Sequence, residues 1–402
     1  MKLLKTLFNP INLYKCQKNY KNKLKELKNK KPVKVIFLVR ENQKWQYQTL
    51  YQLLEEDKNF EPLVLVSLLY LVHKGKDKTR NNLEENYNFF KERNINVDYA
   101  YKNGEYINLK EFNPDIVFYD QPWDLPKIHN IPEVSNHALT CYASYGCEIT
   151  DSKDNYSDWH SLLFRFFVDS SSNYARYCSY NKYAKYNCRI CGFLKIDEYL
   201  NNFDSISRDD KFTIIYAPHH SVDKKSLKMS TFPKTANYIL DFAKKQSNIN
   251  WIFKPHPRLK YAIIKNKVMS EYEAENYYKE WQKIGVLYNK GDYINLFKNS
   301  DLLITDSVSF LVEYLPTHKP IIRLQSPKQI NMGSIGNKIC KVCYEAKSID
   351  ELESIFDKVV MQKVDTKQEG RLKLSNTLFS SKEPAAKKIC EYLLNDLWDI
   401  KI

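Results

Sequence analysis

The stretch SDLLITDSVSFLVEYLPTHKPII, residues 300–322, decides the fold class of this chain. It predicts an apolar strand (Leu302–Thr305), a polar turn, an apolar helix (Val308–Leu315) and a second strand (Pro320–Leu324). Continuous apolar runs of this length are typical of strands that are buried on both faces of a parallel sheet. The order strand, helix, strand therefore predicts a βαβ unit.

The same alternation extends outward from this stretch. Strands are predicted at 212–216 and 250–254, and VKVIFLVR (residues 33–40) begins an earlier series of strands and helices. Within these series we expect a helical aromatic stretch at 160–174 and a strand at 338–344. The alternation favours an α/β protein with two Rossmann-like domains.

Composition divides the chain into three segments. Residues 1–31 contain ten lysines and one acid, Glu26, and we interpret them as a basic N-terminal arm, either helical or frayed. Residues 32–204 and 205–402 are the two predicted domains. The polar stretch SISRDDK (205–211) is the predicted linker between them.

The charge is concentrated in the arm, which carries +9 of the formal net charge of +14. This distribution predicts contact with an anionic membrane surface, or a solubilising tail, rather than nucleic-acid binding. The longest apolar run has about eleven residues, whereas a transmembrane helix needs about 20. We find no secretory signal. Nine cysteines without a disulfide pattern favour a reducing compartment. We expect a cytoplasmic protein, peripheral to the inner face of the membrane.

Several common chemistries lack their motifs in this sequence. Only 9 of 402 residues are Gly, and neither G-x-G-x-x-G nor G-x-x-x-x-G-K-[ST] occurs. H-E-x-x-H, G-x-S-x-G and Asp-x-Asp are absent too. Two C-x-x-C pairs, at 188–191 and 340–343, lie about 150 residues apart, too far for a typical zinc ribbon. We expect no metal and no cofactor.

Three strands of the second half end in chemically useful residues. They are followed by APHHS (217–221), PHPR (255–258) and DSVS (306–309). Because ligands of open parallel sheets bind beyond the carboxyl ends of the strands, we expect these segments to meet in one site. The candidate binding residues are His219, His220, Ser221, Lys254, Arg258, Thr305, Asp306, Ser307, Ser309 and Glu313.

Each candidate has a functional and a structural interpretation. His256 stands between two prolines, which stiffen its backbone, so it is either a phosphate-contacting catalytic residue or a turn histidine. His219 and His220 are adjacent, so at most one is expected to face the site if the backbone is extended. The hydroxyls of Ser307 and Ser309 either hold a pyrophosphate at a helix N-terminus or cap that helix.

At these segments the sequence resembles the CDP-glycerol glycerophosphotransferases of teichoic acid and capsule assembly. The matching stretches are IIYAPHHS (214–221), WIFKPHPRLK (251–260) and residues 300–322. The resemblance implies a GT-B architecture, with two Rossmann-like domains facing across a cleft. It implies a donor nucleotide on the C-terminal domain, an acceptor on the N-terminal one, and a final helix (384–398) that crosses back.

The resemblance also implies roles for individual residues. His256 matches the family's His-Pro histidine at the transferred phosphate, and Ser307 and Ser309 match its phosphate-binding hydroxyls. The chain departs from the family because it lacks the W-H-G-T-P block whose histidine is the proposed base. The comparable stretch is YDQPW (119–123), so Asp120 is either the base or a residue that starts a turn.

The leading hypothesis is a transferase that moves glycerol phosphate, or a related polyol phosphate, from CDP-glycerol to a hydroxyl of a polysaccharide or lipid-linked acceptor. CMP would leave, with His256 and Asp120 as catalytic residues. One alternative is a GT-B glycosyltransferase that uses a nucleotide-sugar donor in capsule or lipopolysaccharide synthesis. Another, from a different class, is a non-catalytic basic protein that binds membranes or polyanions.

Overall fold

The chain folds into two compact units. The computed structural model describes residues 8–75, 81–147, 149–150, 158–199, 211–223, 228–289, 293–327, 329, 331–379 and 383–400. The N-terminal unit comprises Met1–Cys147, Ser152–Leu200 and Ser381–Ile402, and the C-terminal unit comprises Glu148–Asp151 and Asn201–Ser380. The predicted linker, apart from Lys211, lies outside the described residues.

The N-terminal unit is built on a seven-stranded sheet whose neighbouring strands are all parallel, in the order β3-β2-β1-β6-β7-β8-β9. Strands β4 and β5 form a separate antiparallel pair. The bounds are β1 Val33–Val39, β2 Phe60–Val66, β3 Val97–Tyr99, β4 Tyr101–Lys102, β5 Glu105–Tyr106, β6 Ile116–Tyr119, β7 Leu139–Ala143, β8 Arg165–Val168 and β9 Cys188–Ile190. The apolar strands β1 and β6 form the centre of its core.

Helices and short turns cover this sheet. The α-helices are α1 Pro10–Leu27, α2 Gln48–Glu56, α3 Tyr70–His73, α4 Leu83–Lys91, α5 Ile131–Val134, α6 Ser171–Tyr180, α7 Ala184–Asn187 and α8 Leu194–Asp197. The 3₁₀ turns are Asn42–Lys44, Leu109–Phe112, Lys127–His129 and Asp158–Leu162. The prediction of a helix at 160–174 is wrong, because the sequence RFFV (residues 165–168) forms β8. A short apolar run does not distinguish a buried strand from a buried helix.

The basic N-terminal segment is part of the fold rather than a detached tail. In α1, Leu13, Cys16 and Tyr20 recur at helical spacing on one buried face, and Leu27 continues this face about two turns further on. The Tyr20 hydroxyl donates to the Leu162 carbonyl at 2.7 Å. Removal of this helix would therefore open the core of the N-terminal unit.

The C-terminal unit contains a six-stranded parallel sheet in the order β12-β11-β10-β13-β14-β15. Its strands are β10 Phe212–Ala217, β11 Ile249–Phe253, β12 Gly285–Leu287, β13 Leu302–Thr305, β14 Ile321–Leu324 and β15 Tyr344–Ala346. Its helices are α9 Phe232–Lys244, α10 Leu259–Lys265, α11 Glu271–Ile284, α12 Ile294–Asn299, α13 Val308–Tyr314, α14 Ser334–Val342, α15 Ile349–Phe356 and α16 Gln368–Leu378. A 3₁₀ turn covers Leu315–Thr317, and a π-helical turn covers Asp357–Met361.

The prediction of a strand at 338–344 is wrong, since most of that stretch belongs to α14. Ile335 and Ile339, one helical turn apart, are buried against the sheet, and the strand β15 begins only at Tyr344. The apolar alternation in KICKVCY therefore resembles a strand pattern only locally.

The last helix, α17 (Ala385–Trp398), belongs to the N-terminal unit, where it packs against α2. The Asp197 carboxylate accepts hydrogen bonds from the backbone N–H groups of Ala385 and Ala386, at 2.7 and 2.8 Å. Burial raises the pKa of Asp197 to about 6. In the part of the chain that the structure describes, no helix combines the length and apolar character needed to cross a bilayer.

Candidate functional site

The candidate site lies at the carboxyl edge of the C-terminal sheet, between β10 and β13. The chain order of the strands reverses at this point, since β10 is flanked by β11 on one side and by β13 on the other. Such a switch point leaves a crevice in which ligands of open α/β sheets bind. The segments after β10, β11 and β13 are those that the sequence predicts to meet.

Three imidazoles lie together at this edge. The ring centroid of His256 is 3.9 Å from that of His220 and 5.4 Å from that of His219, and the rings of His219 and His220 are 4.4 Å apart. The expectation that only one of the adjacent histidines faces the site is wrong. Both follow the end of β10 and lie outside regular extended backbone, so their side chains need not alternate.

A chain of hydrogen bonds orients the His219 ring. The Met229 backbone N–H donates to Ser221 Oγ at 3.0 Å, and Oγ lies 2.8 Å from His219 Nδ1. The Ser221 backbone N–H also donates to Nδ1, at 3.2 Å. Burial lowers the pKa of His219 to about 3, so the ring is neutral at pH 7. Since Nδ1 accepts, the ring proton is on Nε2.

His256 is oriented in the same way. Its Nδ1 accepts the backbone N–H of Arg258 at 3.1 Å, and its own backbone N–H donates to the Pro218 carbonyl at 3.1 Å. Neutral His256 therefore carries its proton on Nε2 as well. Two neighbouring rings thus present N–H donors, which suits phosphoryl oxygens.

The three histidines are also close enough together to hold a metal ion, since each offers one ring nitrogen within 4.8 Å of the others. A neutral imidazole that binds a metal through Nε2 must carry its proton on Nδ1. In His219 and His256 that Nδ1 faces a backbone N–H donor. The hydrogen bonds therefore favour an anion over a cation at this edge.

Asp306 and Thr305 hold the edge together from inside. The buried Asp306 carboxylate accepts from the backbone N–H of His219 at 2.6 Å, and from the backbone N–H and hydroxyl of Thr231 at 2.5 and 3.0 Å. Desolvation raises its pKa to about 6. Thr305 Oγ1 donates to the Ala217 carbonyl at 2.6 Å. These contacts do not support ligand binding by Asp306 and Thr305, and we assign both a positioning role.

Ser307, Ser309 and Arg258 remain placed to meet a ligand. Ser307 precedes α13 as its N-cap residue, and its hydroxyl makes no capping hydrogen bond. Ser309 and Arg258 are exposed.

Lys254 and Glu313 are both buried and both contact aromatic side chains, and Lys254 lies two residues before His256 in the chain. Lys254 Nζ lies 4.7 Å from the Tyr293 ring centroid, 5.3 Å from that of Tyr288 and 5.6 Å from that of Phe310. The Tyr293 hydroxyl donates to the Glu313 carboxylate. These aromatic residues and Thr231 were not predicted from the sequence. For Thr231 a signal exists in TFP, a helix start with proline at the second helical position.

Asp120 lies at the corresponding edge of the N-terminal sheet, in a buried ion pair. Its carboxylate accepts from the Arg40 backbone N–H at 2.8 Å, from Arg40 Nε and Nη2 at 3.3 and 3.2 Å, and from the Glu41 backbone N–H at 3.3 Å. Both side chains are almost fully buried. These contacts do not support a general-base role, and we assign Asp120 a structural one.

A second polar cluster at this edge was not predicted from the sequence. Gln121 Nε2 donates to the Glu41 carboxylate at 2.8 Å, and Lys44 Nζ donates to Gln121 Oε1 at 2.6 Å and to Glu41. Glu41, Lys44 and Gln121 follow strands β1 and β6 in the chain. Their signal in the sequence is only their position after those strands.

Comparison with solved structures defines the fold as GT-B type. S. aureus MnaA, solved with UDP, aligns over 92% of this chain and 99% of its own, with a TM-score of 0.59 and 14% identity. A UDP-N-acetylglucosamine 2-epimerase described as putative, from Listeria monocytogenes, covers 92% and 97%, with a TM-score of 0.58 and 12% identity. A UDP-GlcNAc 2-epimerase from Neisseria meningitidis, bound to UDP-GlcNAc, has a TM-score of 0.54 and 12% identity over 90% and 99%.

Comparison with protein families confirms the resemblance inferred from the motifs. Residues 191–328 match the model of CDP-Glycerol:Poly(glycerophosphate) glycerophosphotransferase. This range includes the segments after β10, β11 and β13, and thus the three histidines. No curated protein sequence matches. The family match, together with the GT-B fold, supports a transferase.

Proposed function

We propose that the chain transfers glycerol phosphate, or a related polyol phosphate, from CDP-glycerol to a hydroxyl of a polysaccharide or lipid-linked acceptor and releases CMP. The observation that carries the proposal is the pair of oriented imidazoles of His219 and His256, which present Nε2–H donors at the switch point of the C-terminal sheet. The family match covers both residues. The nucleotides named with two of the structural neighbours agree with a nucleotide donor.

In this proposal the reaction is an attack of the acceptor oxygen on the β-phosphorus of CDP-glycerol. The P–O bond to the CMP phosphate breaks, CMP leaves with the bridging oxygen and the bonding electron pair, and the proton of the acceptor hydroxyl passes to solvent. His219 and His256 donate hydrogen bonds to the phosphoryl oxygens on which charge grows, and the Arg258 guanidinium adds a positive charge there. The His220 imidazole, which neighbours both of these rings, contacts the same phosphates.

The donor is held by residues on both sides of the histidines. The hydroxyls of Ser307 and Ser309 donate to the pyrophosphate, and the Lys254 ammonium balances its charge. The Glu313 carboxylate accepts hydrogen bonds from the ribose hydroxyls, while Tyr293 fixes its orientation. Ser221, Thr305 and Asp306 position the edge without contacting the donor.

The identity of the released nucleotide tests the reaction directly. The protein would be incubated with CDP-glycerol, CDP-ribitol and UDP-sugars, with a membrane extract as acceptor. CMP from a CDP-polyol supports the proposal. A nucleoside diphosphate from a sugar donor would instead support the glycosyltransferase alternative, and no nucleotide at all would support the non-catalytic one.

A histidine substitution then tests the site. We expect His256→Ala to lower kcat by about 100-fold or more, because it removes a donor to the transition-state oxygens. His137→Ala is the matched control, since His137 is also half-buried but lies in the N-terminal unit. Full turnover by His256→Ala would exclude the assignment.

We also propose that α1 holds the enzyme at the cytoplasmic face of an anionic membrane. Ile11 and Tyr14 are 78% and 69% exposed, and Lys18, Lys21 and Lys25 follow them on the same exposed helix face. Apolar and aromatic residues beside lysines are typical of helices that lie in a membrane interface. Glu26, the acid of this helix, is not one of these five residues, so the charged residues of the stripe are all lysines.

The membrane proposal is tested by charge removal rather than by deletion, because deletion would also remove core residues. We expect the triple variant K18Q/K21Q/K25Q to bind anionic vesicles on the order of 100-fold more weakly, at roughly 1 kcal/mol per lysine. The control K265Q/K267Q/K279Q removes the same charge from exposed positions of the C-terminal unit. Equal binding by the two triple variants would contradict the proposal.

A further inference from the structure

An open, polar cavity of about 900 Å³ lies beside β14 in the C-terminal unit. Arg323, Gln325, Cys340, Lys341, Glu345 and Lys367 are among its lining residues. Arg323 is the register partner of Thr305 on β13. The cavity is therefore one strand away from the strand that leads into the histidine edge, but it shares no residue with that edge.

Two polar atoms of this cavity are buried without a partner. Among the residues that the structure describes, neither Arg323 Nη2 nor Gln325 Oε1 has a hydrogen-bond partner. The Arg323 residue is only 3% exposed, and its Nη1 donates to Glu345. A buried donor or acceptor without a partner costs free energy, so each of these atoms favours a ligand that satisfies it.

The charges around these atoms specify the ligand further. Arg323, Lys341 and Lys367 bring three positive charges to the cavity and Glu345 brings one negative charge, so an anion is favoured. The planar guanidinium suits phosphate oxygens. Gln325 Oε1 requires a donor, and a hydroxyl next to the phosphate supplies one.

We propose that this cavity binds a phosphate ester that carries a neighbouring hydroxyl, that is, a polyol phosphate unit. The phosphate accepts from Arg323 Nη2 and is attracted by Lys341, and the hydroxyl donates to Gln325 Oε1. The unit is either a free polyol phosphate or part of a polyol phosphate chain made by the enzyme. The second source rests on the proposed function.

Binding measurements on the full-length protein test this site. The two probes are glycerol 3-phosphate and a short poly(glycerol phosphate) oligomer, titrated calorimetrically. We expect Arg323→Gln to weaken binding about tenfold or more and Lys341→Gln to weaken it several-fold. Lys338→Gln, on the exposed side of the same helix and outside the lining, should leave binding unchanged.

The possible outcomes distinguish the two sources of the ligand and test whether the cavity binds it. Saturable binding of both probes indicates a site for the free ester, whereas binding of the oligomer alone indicates a chain site. If Arg323→Gln does not fold, the comparison of Lys341→Gln with Lys338→Gln still decides. Equal affinities for those two variants, or no saturable binding to the wild type, would overturn the inference. CMP release is measured separately, so a failure of the proposed reaction would leave the binding result standing.

Discussion

Both sheets place an aspartate at the same point, yet the two aspartates are held by different partners. Asp120 follows β6 and accepts the backbone N–H of Arg40, and Asp306 follows β13 and accepts the backbone N–H of His219. In each unit the carboxylate joins the two strands that flank the switch point. The guanidinium of Arg40 completes the first site, whereas N–H groups and the hydroxyl of Thr231 complete the second.

The difference shows how one arrangement serves structure in one unit and chemistry in the other. Arg40 neutralises Asp120 and also donates to the carbonyls of Trp123 and Asp124, so this edge is filled by its own side chains. At the other edge the Asp306 carboxylate accepts hydrogen bonds from two backbone N–H groups and one hydroxyl. At this edge the imidazoles of His219 and His256 each accept a backbone N–H at Nδ1, so the ring proton is on Nε2.

The largest expected effect is that of breaking the ion pair. We expect Asp120→Asn to destabilise the N-terminal unit by about 3–5 kcal/mol, because it leaves the buried Arg40 without its counter-charge. Denaturant unfolding, monitored by the fluorescence of the aromatic residues of each unit, measures the change in the free energy of unfolding. Unchanged stability together with lost turnover would instead restore Asp120 as a catalytic base.

The matched change at the second edge should be milder. We expect Asp306→Asn to destabilise the C-terminal unit by about 1–3 kcal/mol, because neutral donors lose an acceptor but no ion pair is broken. A loss as large as that of Asp120→Asn would contradict the distinction between the two edges.

The pH dependence of the same variant sharpens the comparison. The folded pKa of Asp306, about 6, lies above its ordinary value, so the folded state takes up this proton first as the pH falls. Wild type should therefore gain stability relative to Asp306→Asn from pH 7 to pH 4. The lowered pKa of His219 acts in the opposite sense, but it is common to both proteins and cancels in the difference. A difference that is constant with pH would contradict the raised pKa.

The smallest expected effect concerns the orientation of His219. We expect Ser221→Ala to lower kcat a few-fold, since the hydroxyl is one of two groups that hold His219 in the Nε2–H tautomer. The variant should also lose about 1 kcal/mol of stability, because the buried Met229 N–H loses its acceptor. Nitrogen-15 NMR of the His219 ring reports the tautomer, and Ser221→Thr should restore both tautomer and rate. A lower rate with an unchanged tautomer would exclude the positioning role.

The sequence allowed the framework of the site to be predicted, because strand ends in a parallel sheet meet at one edge whatever their side chains are. The meeting of His219, His220 and His256 follows from that rule. The partners of Asp120 and Asp306 did not follow from it. Arg40 and Thr231 are distant in the chain, and nothing local to them marks which carboxylate they contact. Ring orientation was equally unpredictable, since it depends on single N–H groups in turns.

The donor is proposed to bind at the histidine edge of the C-terminal unit. Calorimetric titration of CDP-glycerol into wild type, His256→Gln and His137→Gln tests it most directly. We expect His256→Gln to weaken binding by about tenfold or more, and His137→Gln, in the N-terminal unit, to bind as wild type does. Equal affinity for all three proteins would contradict it.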